Sequence, residues 1–219
     1  MSVYLLDSET TGTKDPELVE VAWLRLNGPD PLQIVEQFSQ WYKPSKPIEF
    51  GAMAVHHITN EDVADMPPAA TFKMPGDLAY LVGHNVDFDW QVIGKPECKR
   101  ICTLALARKL WPTVDSHSQG ALLYFLEPSQ ARQRLAGSHR APRDAENCAF
   151  VLERLCLELG VTTWDELWGA SEVARVPTHL AFGKHKGTAI VDLPRDYREW
   201  MLRQADMDPY VLQAVRASM

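Results

Sequence analysis

Cysteine is scarce in this chain: Cys98, Cys102, Cys148 and Cys156 are the four present, and no two form a Cys-x-x-Cys pair. That argues against a zinc site or a disulfide framework and leaves a reducing cytoplasm as the expected location. No apolar run approaches the ~20 residues that span a bilayer, so no membrane partner is expected. The opening Met-Ser-Val-Tyr-Leu-Leu-Asp carries neither a basic n-region nor a cleavage site, so no export signal is expected either. Basic charge is also in short supply, with 22 Lys+Arg against 29 Asp+Glu and a net charge of −7. A protein that binds phosphates passively usually carries a basic face, and the net balance here offers none. The charge is uneven, however. Residues 129–143 hold Arg132, Arg134, Arg140 and Arg143 without a single acid. Internal repeats and low-complexity tracts are absent as well.

What is present suits one ordinary α/β domain with room for a small appendage: 219 residues, 46% of them hydrophobic. Val3-Tyr4-Leu5-Leu6 is a short buried strand, residues 18–26 are rich in β-branched and aromatic side chains, and residues 33–42 form another extended run. Asn27-Gly28-Pro29-Asp30 separates the last two as a turn. Three successive strands suggest an antiparallel meander. Thr59-Asn60-Glu61-Asp62 resembles a helix-starting capping box. Residues 78–82 read as a strand with a short helix from Asp87, residues 100–102 as a strand feeding a helix over 103–110, and residues 116–126 and 144–159 as further helices. The last is clearly periodic, with Ala145, Cys148, Leu152, Leu155, Cys156 and Leu159 at 3–4 spacing. The order predicts a mixed sheet with helices on its faces. Past Trp168 the pattern changes. Val176-Pro177 reads as a linker, residues 178–193 as a hairpin around Gly183-Lys184-His185-Lys186-Gly187, and two short helices close the chain. The division expected is residues 1–174 for the main domain and 175–219 for a small α+β module.

Acids at element ends are the chemically informative feature. Asp7 and Glu9 end the first strand, and because side chains alternate they project from one face. An apolar strand rarely needs two acids at its tip, although a solvated strand end would look the same. Asp87 and Asp89 lie at a helix entry, where either could simply be a cap. His139 precedes Asp144 by five positions, with Pro142 suited to the first turn of the helix, so His139 falls on a loop from which it could take a proton from water. That spacing is unspecific, since His57/Asp62 and His84/Asp89 share it. Carboxylates converging from separate segments are what a hard divalent cation requires, and a pair of such cations can clamp the attacking and leaving oxygens of a phosphodiester.

In order along the chain, Asp7-Ser8-Glu9-Thr10, His84-Asn85-Val86-Asp87-Phe88-Asp89 and His139-x4-Asp144 resemble the three signatures of the DEDDh class of 3′→5′ exonucleases, which are DnaQ-like with an RNase H-like fold. The resemblance implies that Asp7, Glu9, Asp89 and Asp144 hold two Mg²⁺ or Mn²⁺ ions and that His139 is the general base. It singles out Asp89 over Asp87. It also implies that Thr10 lies against the terminal nucleotide, and Ala54-Val55-His56-His57-Ile58-Thr59 resembles the segment lining that pocket. Asn85 and the turn lysines Lys184 and Lys186 complete the expected nucleic-acid contacts. Cys102-Thr103-x-x-Leu106-Ala107-Arg108-x-Leu110-Trp111-Pro112 and Phe182-Gly183-Lys184-x-x-Gly187 resemble the bacterial exodeoxyribonuclease X branch of the class. Ser8 stands where the class more often has Thr or an apolar residue, and alternation points it away from Asp7 and Glu9. The loop over residues 13–16 is polar where relatives offer an apolar wedge. The function implied is release of nucleoside 5′-monophosphates from DNA 3′ ends, single-stranded or in a duplex with a 3′ overhang, in DNA repair. RNA trimming or polymerase proofreading by the same class, and nucleic-acid binding without catalysis, are the alternatives.

Overall fold

The structure is a computed structural model and describes residues 2–219. Its strands β1 (Ser2–Thr10), β2 (Leu18–Pro29), β3 (Leu32–Trp41), β4 (Leu78–Gly83) and β5 (Lys99–Cys102) form one sheet in the order β3-β2-β1-β4-β5. The first three pair antiparallel, whereas β4 runs parallel to β1 and β5 parallel to β4. β1 is the central strand. Val3 through Leu6 are all buried, as an unbroken apolar run must be when both faces of a strand are covered.

On one face Tyr4 and Leu6 join Val21, Trp23, Leu81 and Val86 in a cluster to which Phe38, Phe72 and Trp90 add partly buried rings. Tyr4 meets Trp23 edge-on at 5.0 Å, and Trp23 stacks on Phe38 at 5.3 Å. The long helix α6 (Ala141–Leu159) packs on β1 and β2, and its 3–4 periodicity buries Ala145, Cys148, Leu152, Leu155 and Cys156. It starts three residues before the expected Asp144 because Pro142 occupies the first turn, where its missing N–H costs nothing. Helix α2 (Val86–Val92) follows β4 at once through Gly83. A Cβ there would lie 3.2 Å from the Leu6 carbonyl oxygen, tighter than most real contacts, so glycine eases the close approach of β4 to β1. Helices α3 (Thr103–Leu110), α4 (Gln119–Leu126) and α5 (Pro128–Arg134) complete the connection to α6.

Several local expectations are corrected. The β2–β3 turn is at Asp30-Pro31, at the far end of the expected residues 27–30, because the ladder runs on through Pro29 and Leu32. Thr59 and Asp62 do exchange capping-box hydrogen bonds, the Thr59 N–H to Asp62 Oδ2 at 2.8 Å and the Asp62 N–H to Thr59 Oγ1 at 3.3 Å, but only turns follow. Helix α1 (Phe50–His56) instead lies before that box. The acid-free arginine run is largely engaged internally. Arg134 covers the Phe150 ring at 4.1 Å, Arg140 pairs with Glu20 and Arg143 with Glu146.

The chain divides into two compact units, one ending at Ser171 and the other running Glu172–Met219. Helix α7 (Trp164–Arg175) carries the chain across that boundary. The second unit has its own core of Leu180, Ile190, Leu193, Met201, Ala214 and Val215 beneath α8 (Arg195–Met201) and α9 (Pro209–Ala217). Of the hairpin expected over 178–193, a single bridge forms between His179 and Ala189. The Leu180 and Gly187 backbones bond across the turn without building strands. No helix among the described residues is long and apolar enough to cross a membrane.

Candidate active site

The C-terminal end of β1 carries the chemistry. Asp7 pairs in register with Ala22 of β2 and Glu9 with Glu20, and the register shifts by one residue between Glu9 and Thr10. Both acids share the sheet face of Leu5, the face on which α6 packs. Asp144, in the first turn of α6, completes a cluster in which one carboxylate oxygen from each of Asp7, Glu9 and Asp144 lies within 4.8 Å of the others. Among the described residues, no side chain donates a hydrogen bond or forms an ion pair to Asp7 or Glu9.

Burial and the neighbouring carboxylates raise the pKa of each of these acids in the metal-free protein. Desolvation first, then the charges of Asp89 and Asp144, raise Asp7 well above the ordinary aspartate value. Glu9 is pushed up to about 8 by burial and by Asp144 and Glu20. Asp144 is raised by burial, against the stabilising pull of the His139 N–H. Asp89, in α2, is buried, and that burial pushes it up to about 7. The Ser8 hydroxyl donates to Asp89 Oδ1 at 2.6 Å. It does face away from Asp7 and Glu9, but toward the helix that brings the fourth acid.

The donor set is all oxygen, drawn from three separate elements, and lacks its own cationic partner. Those are the properties a hard divalent cation selects, and the residues fit one. Glu20 shows the contrast, because it is more deeply buried and fully hydrogen-bonded, so it offers a metal nothing.

His139 sits on the loop before α6 with φ of 63°, exposed, and its N–H donates to Asp144 Oδ2 at 2.8 Å. The structure separates it from its spacing-matched counterparts. His84 is largely buried, with Nε2 donating to the His117 carbonyl at 2.9 Å and Nδ1 3.0 Å from Thr103 Oγ1. His57 is exposed at the left-handed end of α1.

Of the residues expected to touch nucleic acid, His56 is the most enclosed. It is 2% exposed, its Nε2 donates to the Thr10 carbonyl at 3.2 Å and its Nδ1 accepts the Ile58 N–H at 3.0 Å, so both nitrogens hold the fold together. Thr10 is also buried, its hydroxyl donating to the Gly12 carbonyl at 2.9 Å. Gly12, at φ of 152°, has no room for a Cβ beside the Glu49 carboxylate. Asn85 is exposed in a left-handed conformation at the entry of α2. Lys184 and Lys186 are exposed on the second unit, Lys184 Nζ 5.3 Å from the Tyr197 ring centre. Two features escaped sequence reasoning. Phe50, at the start of α1, is 88% exposed, one residue past the Glu49 N–H that bonds the Thr11 carbonyl. Glu20 gave no sign beyond being an acid inside an apolar strand, which was itself the available signal.

A mixed sheet in the order β3-β2-β1-β4-β5, with flanking helices and acids gathered at the end of its central strand, defines an RNase H-like nuclease of the DEDDh 3′→5′ exonuclease class. A family model described as exonuclease matches residues 5–152, and the chain belongs to that family. A second model, described as a putative quorum-sensing-regulated virulence factor, matches residues 172–206. Exodeoxyribonuclease 10 of Escherichia coli (strain K12) is 30% identical over 213 residues, covering 92% of this chain and 91% of that protein. Among solved structures, exonuclease X in complex with 5′ overhanging duplex DNA superposes with a TM-score of 0.61 at 28% identity, over 77% of this chain and 99% of that one. The nuclease domain of 3′hExo, a DEDDh family member bound to rAMP, shares the fold at a TM-score of 0.51 and 14% identity, over 72% of this chain and 92% of that one.

Proposed function

We propose that this chain is a divalent-metal-dependent 3′→5′ exodeoxyribonuclease that removes nucleoside 5′-monophosphates from DNA 3′ ends, in a repair role. The observation that carries the reading is the cluster of Asp7, Glu9 and Asp144, whose carboxylates lie within 4.8 Å of one another. Asp7, Glu9, Asp89 and Asp144 would hold two Mg²⁺ or Mn²⁺ ions, which when bound supply Lewis-acid compensation of the phosphate charge and a more acidic water. The protein's own residues do the rest. Ser8 orients Asp89, and Asp144 fixes the loop that presents His139. The imidazole of His139 takes the proton of the attacking water as the new P–O bond forms. The bond to the 3′ oxygen of the preceding nucleotide breaks, that oxygen takes a proton from solvent to become the new 3′-hydroxyl end, and the nucleoside 5′-monophosphate leaves. Neutral imidazole is the form that accepts the proton. The chemistry is assigned to the first unit. The second unit is assigned contacts with substrate backbone through Lys184 and Lys186.

The direct test uses matched DNA and RNA, each labelled at its 3′ nucleotide, with Mg²⁺ or with EDTA. Metal-dependent loss of the 3′ label from DNA is the expected result. Faster loss from RNA would move the substrate assignment to RNA, and no loss from either would leave a binding protein. His139→Ala should slow single-turnover cleavage by roughly 10²–10⁴-fold with metal affinity unchanged. His57→Ala is the fitting control, since His84 is a structural strut. Comparable damage from His57→Ala, with His139→Ala harmless, would show that the base is misassigned. Lys184→Ala combined with Lys186→Ala should lower the slope of log affinity for long DNA against log salt by about 1–2, leaving short oligonucleotides unaffected. An unchanged slope would remove the second unit from substrate binding.

A further inference from the structure

Glu20 stands beside the acidic cluster as the register partner of Glu9, yet it lives in the opposite environment. It is 2% exposed and its oxygens are saturated with donors. Trp41 Nε1 donates to Oε1 at 2.7 Å and Arg140 Nη2 to the same oxygen at 2.8 Å. Arg140 Nε donates to Oε2 at 3.0 Å, and the Ala141 N–H joins it at 2.9 Å. The Arg140 guanidinium also lies 5.1 Å from the Trp41 ring centre, so the arginine is held between a carboxylate and an indole. Two of these donor residues, Arg140 and Ala141, are consecutive and immediately follow His139.

His139 itself is left-handed, a conformation that a non-glycine residue keeps only where its surroundings over-determine it. The over-determination is visible. The His139 N–H is fixed on one side by Asp144, and the next two residues are fixed on the other side by Glu20. We propose that Glu20 and Arg140 form a clamp that sets the backbone of the His139 loop and thereby aims the imidazole. They are positioning residues that act through His139. The inference rests on the reading of His139 as the proton acceptor. It assigns a role to an acid that the nuclease chemistry leaves unused, and to an arginine that would otherwise count as a phosphate contact.

Arg140 has a half-exposed side chain, so Arg140→Gln tests the clamp without opening the core, and Glu20→Gln tests it from the buried side. Single-turnover cleavage of a 3′-labelled DNA oligonucleotide, KM, and the Mg²⁺-induced rise in melting temperature are measured from pH 6 to 9. Each variant is studied with His139 intact and as His139→Ala. Arg140→Gln should lower the single-turnover rate by about 10–10²-fold, the scale of a small misplacement of a catalytic group, with KM and the Mg²⁺ response unchanged. Arg140→Lys should restore part of the rate, and Arg140→Gln in the His139→Ala background should cost nothing further. A raised KM with the rate preserved would mean that Arg140 touches substrate, which overturns the clamp. So would an equal further loss in the His139→Ala background, which places the effect elsewhere. Full activity of His139→Ala alone would instead remove the underlying reading of the base, and the clamp with it.

Discussion

Asp7→Asn is expected to lower Mg²⁺-dependent turnover by roughly 10³-fold or more while making the metal-free protein more stable at pH 8. The two effects have one cause. Asp7 is half-buried beside Asp89 and Asp144; desolvation first, then those charges, push it well above the ordinary aspartate range, and no side chain among the described residues offsets its charge. Such an arrangement costs folding energy and is retained for what the charge can hold. A neutral amide of the same shape relieves the repulsion and removes a ligand. Charge compensation of the phosphate is worth several kcal/mol, and about 1.4 kcal/mol corresponds to a factor of ten in rate. Glu9→Gln, Asp89→Asn and Asp144→Asn should behave alike. Glu20→Gln should do the reverse for stability, since it breaks a saturated network. Release of the 3′ nucleotide and thermal melts in EDTA check both halves. Turnover within tenfold of the parent, or a drop in metal-free stability, would show that Asp7 is an ordinary structural acid.

How much of this site could be read in the sequence depended on how local the determining physics is. Asp7 and Glu9 were legible because strand alternation alone puts them on one face, and β1 is as regular as its apolar run suggests. Asp89 was not separable from Asp87 by pattern, because both lie in the first turn of α2 and only the Ser8 hydroxyl, 81 positions away, marks which one turns inward. The three His-x4-Asp pairs were equivalent as text. Burial and hydrogen bonding of His84, and the loop geometry of His139, separate them. Glu20 was invisible as a clamp, since its partner Arg140 is 120 residues along the chain.

The helices show the same limit. Thr59/Asp62 and Thr163/Glu166 make the same reciprocal cap. The Thr163 N–H donates to Glu166 Oε2 at 2.9 Å and the Glu166 N–H to Thr163 Oγ1 at 3.2 Å, yet only the second opens a helix. A cap satisfies the first donors, but continuation requires an apolar face to bury. After Thr163 burial recurs along the helix at Leu167 and Ser171, whereas after Thr59 only Val63 is buried before the chain leaves through turns over residues 60–65. Helices α1 and α5 bury one residue each, His56 and Ala131, so they have almost no periodicity to find.

Protons and divalent cations should compete for the cluster, and the competition should be measurable as stability. In the metal-free protein Glu9 sits at about 8, Asp89 at about 7, and Asp7 and Asp144 are raised, so the folded state holds protons that the unfolded chain releases near pH 4. For acids raised on folding, the associated stability is fully present below the unfolded value and is lost as pH climbs through the folded one. The window is therefore about pH 4 to 8. The enclosed His56 and His84 are lowered by burial and act with the opposite sign below the ordinary histidine value, so the raw melting curve mixes both. The exposed Asp62, Asp77, Asp165 and Glu166 are lowered and matter only in stronger acid. Taking the difference between melts with and without Mg²⁺ or Mn²⁺ at each pH removes those contributions. A cation that binds only the folded state stabilises by mass action, and it binds better where protons have left. The metal-induced rise in melting temperature should be near zero at pH 5 and reach roughly 5–10 °C at pH 8, corresponding to a few kcal/mol for a chain of this size. In Asp7→Asn the increment at pH 8 should largely vanish. An increment independent of pH, or one that survives in Asp7→Asn, would mean that the cation binds elsewhere on the protein.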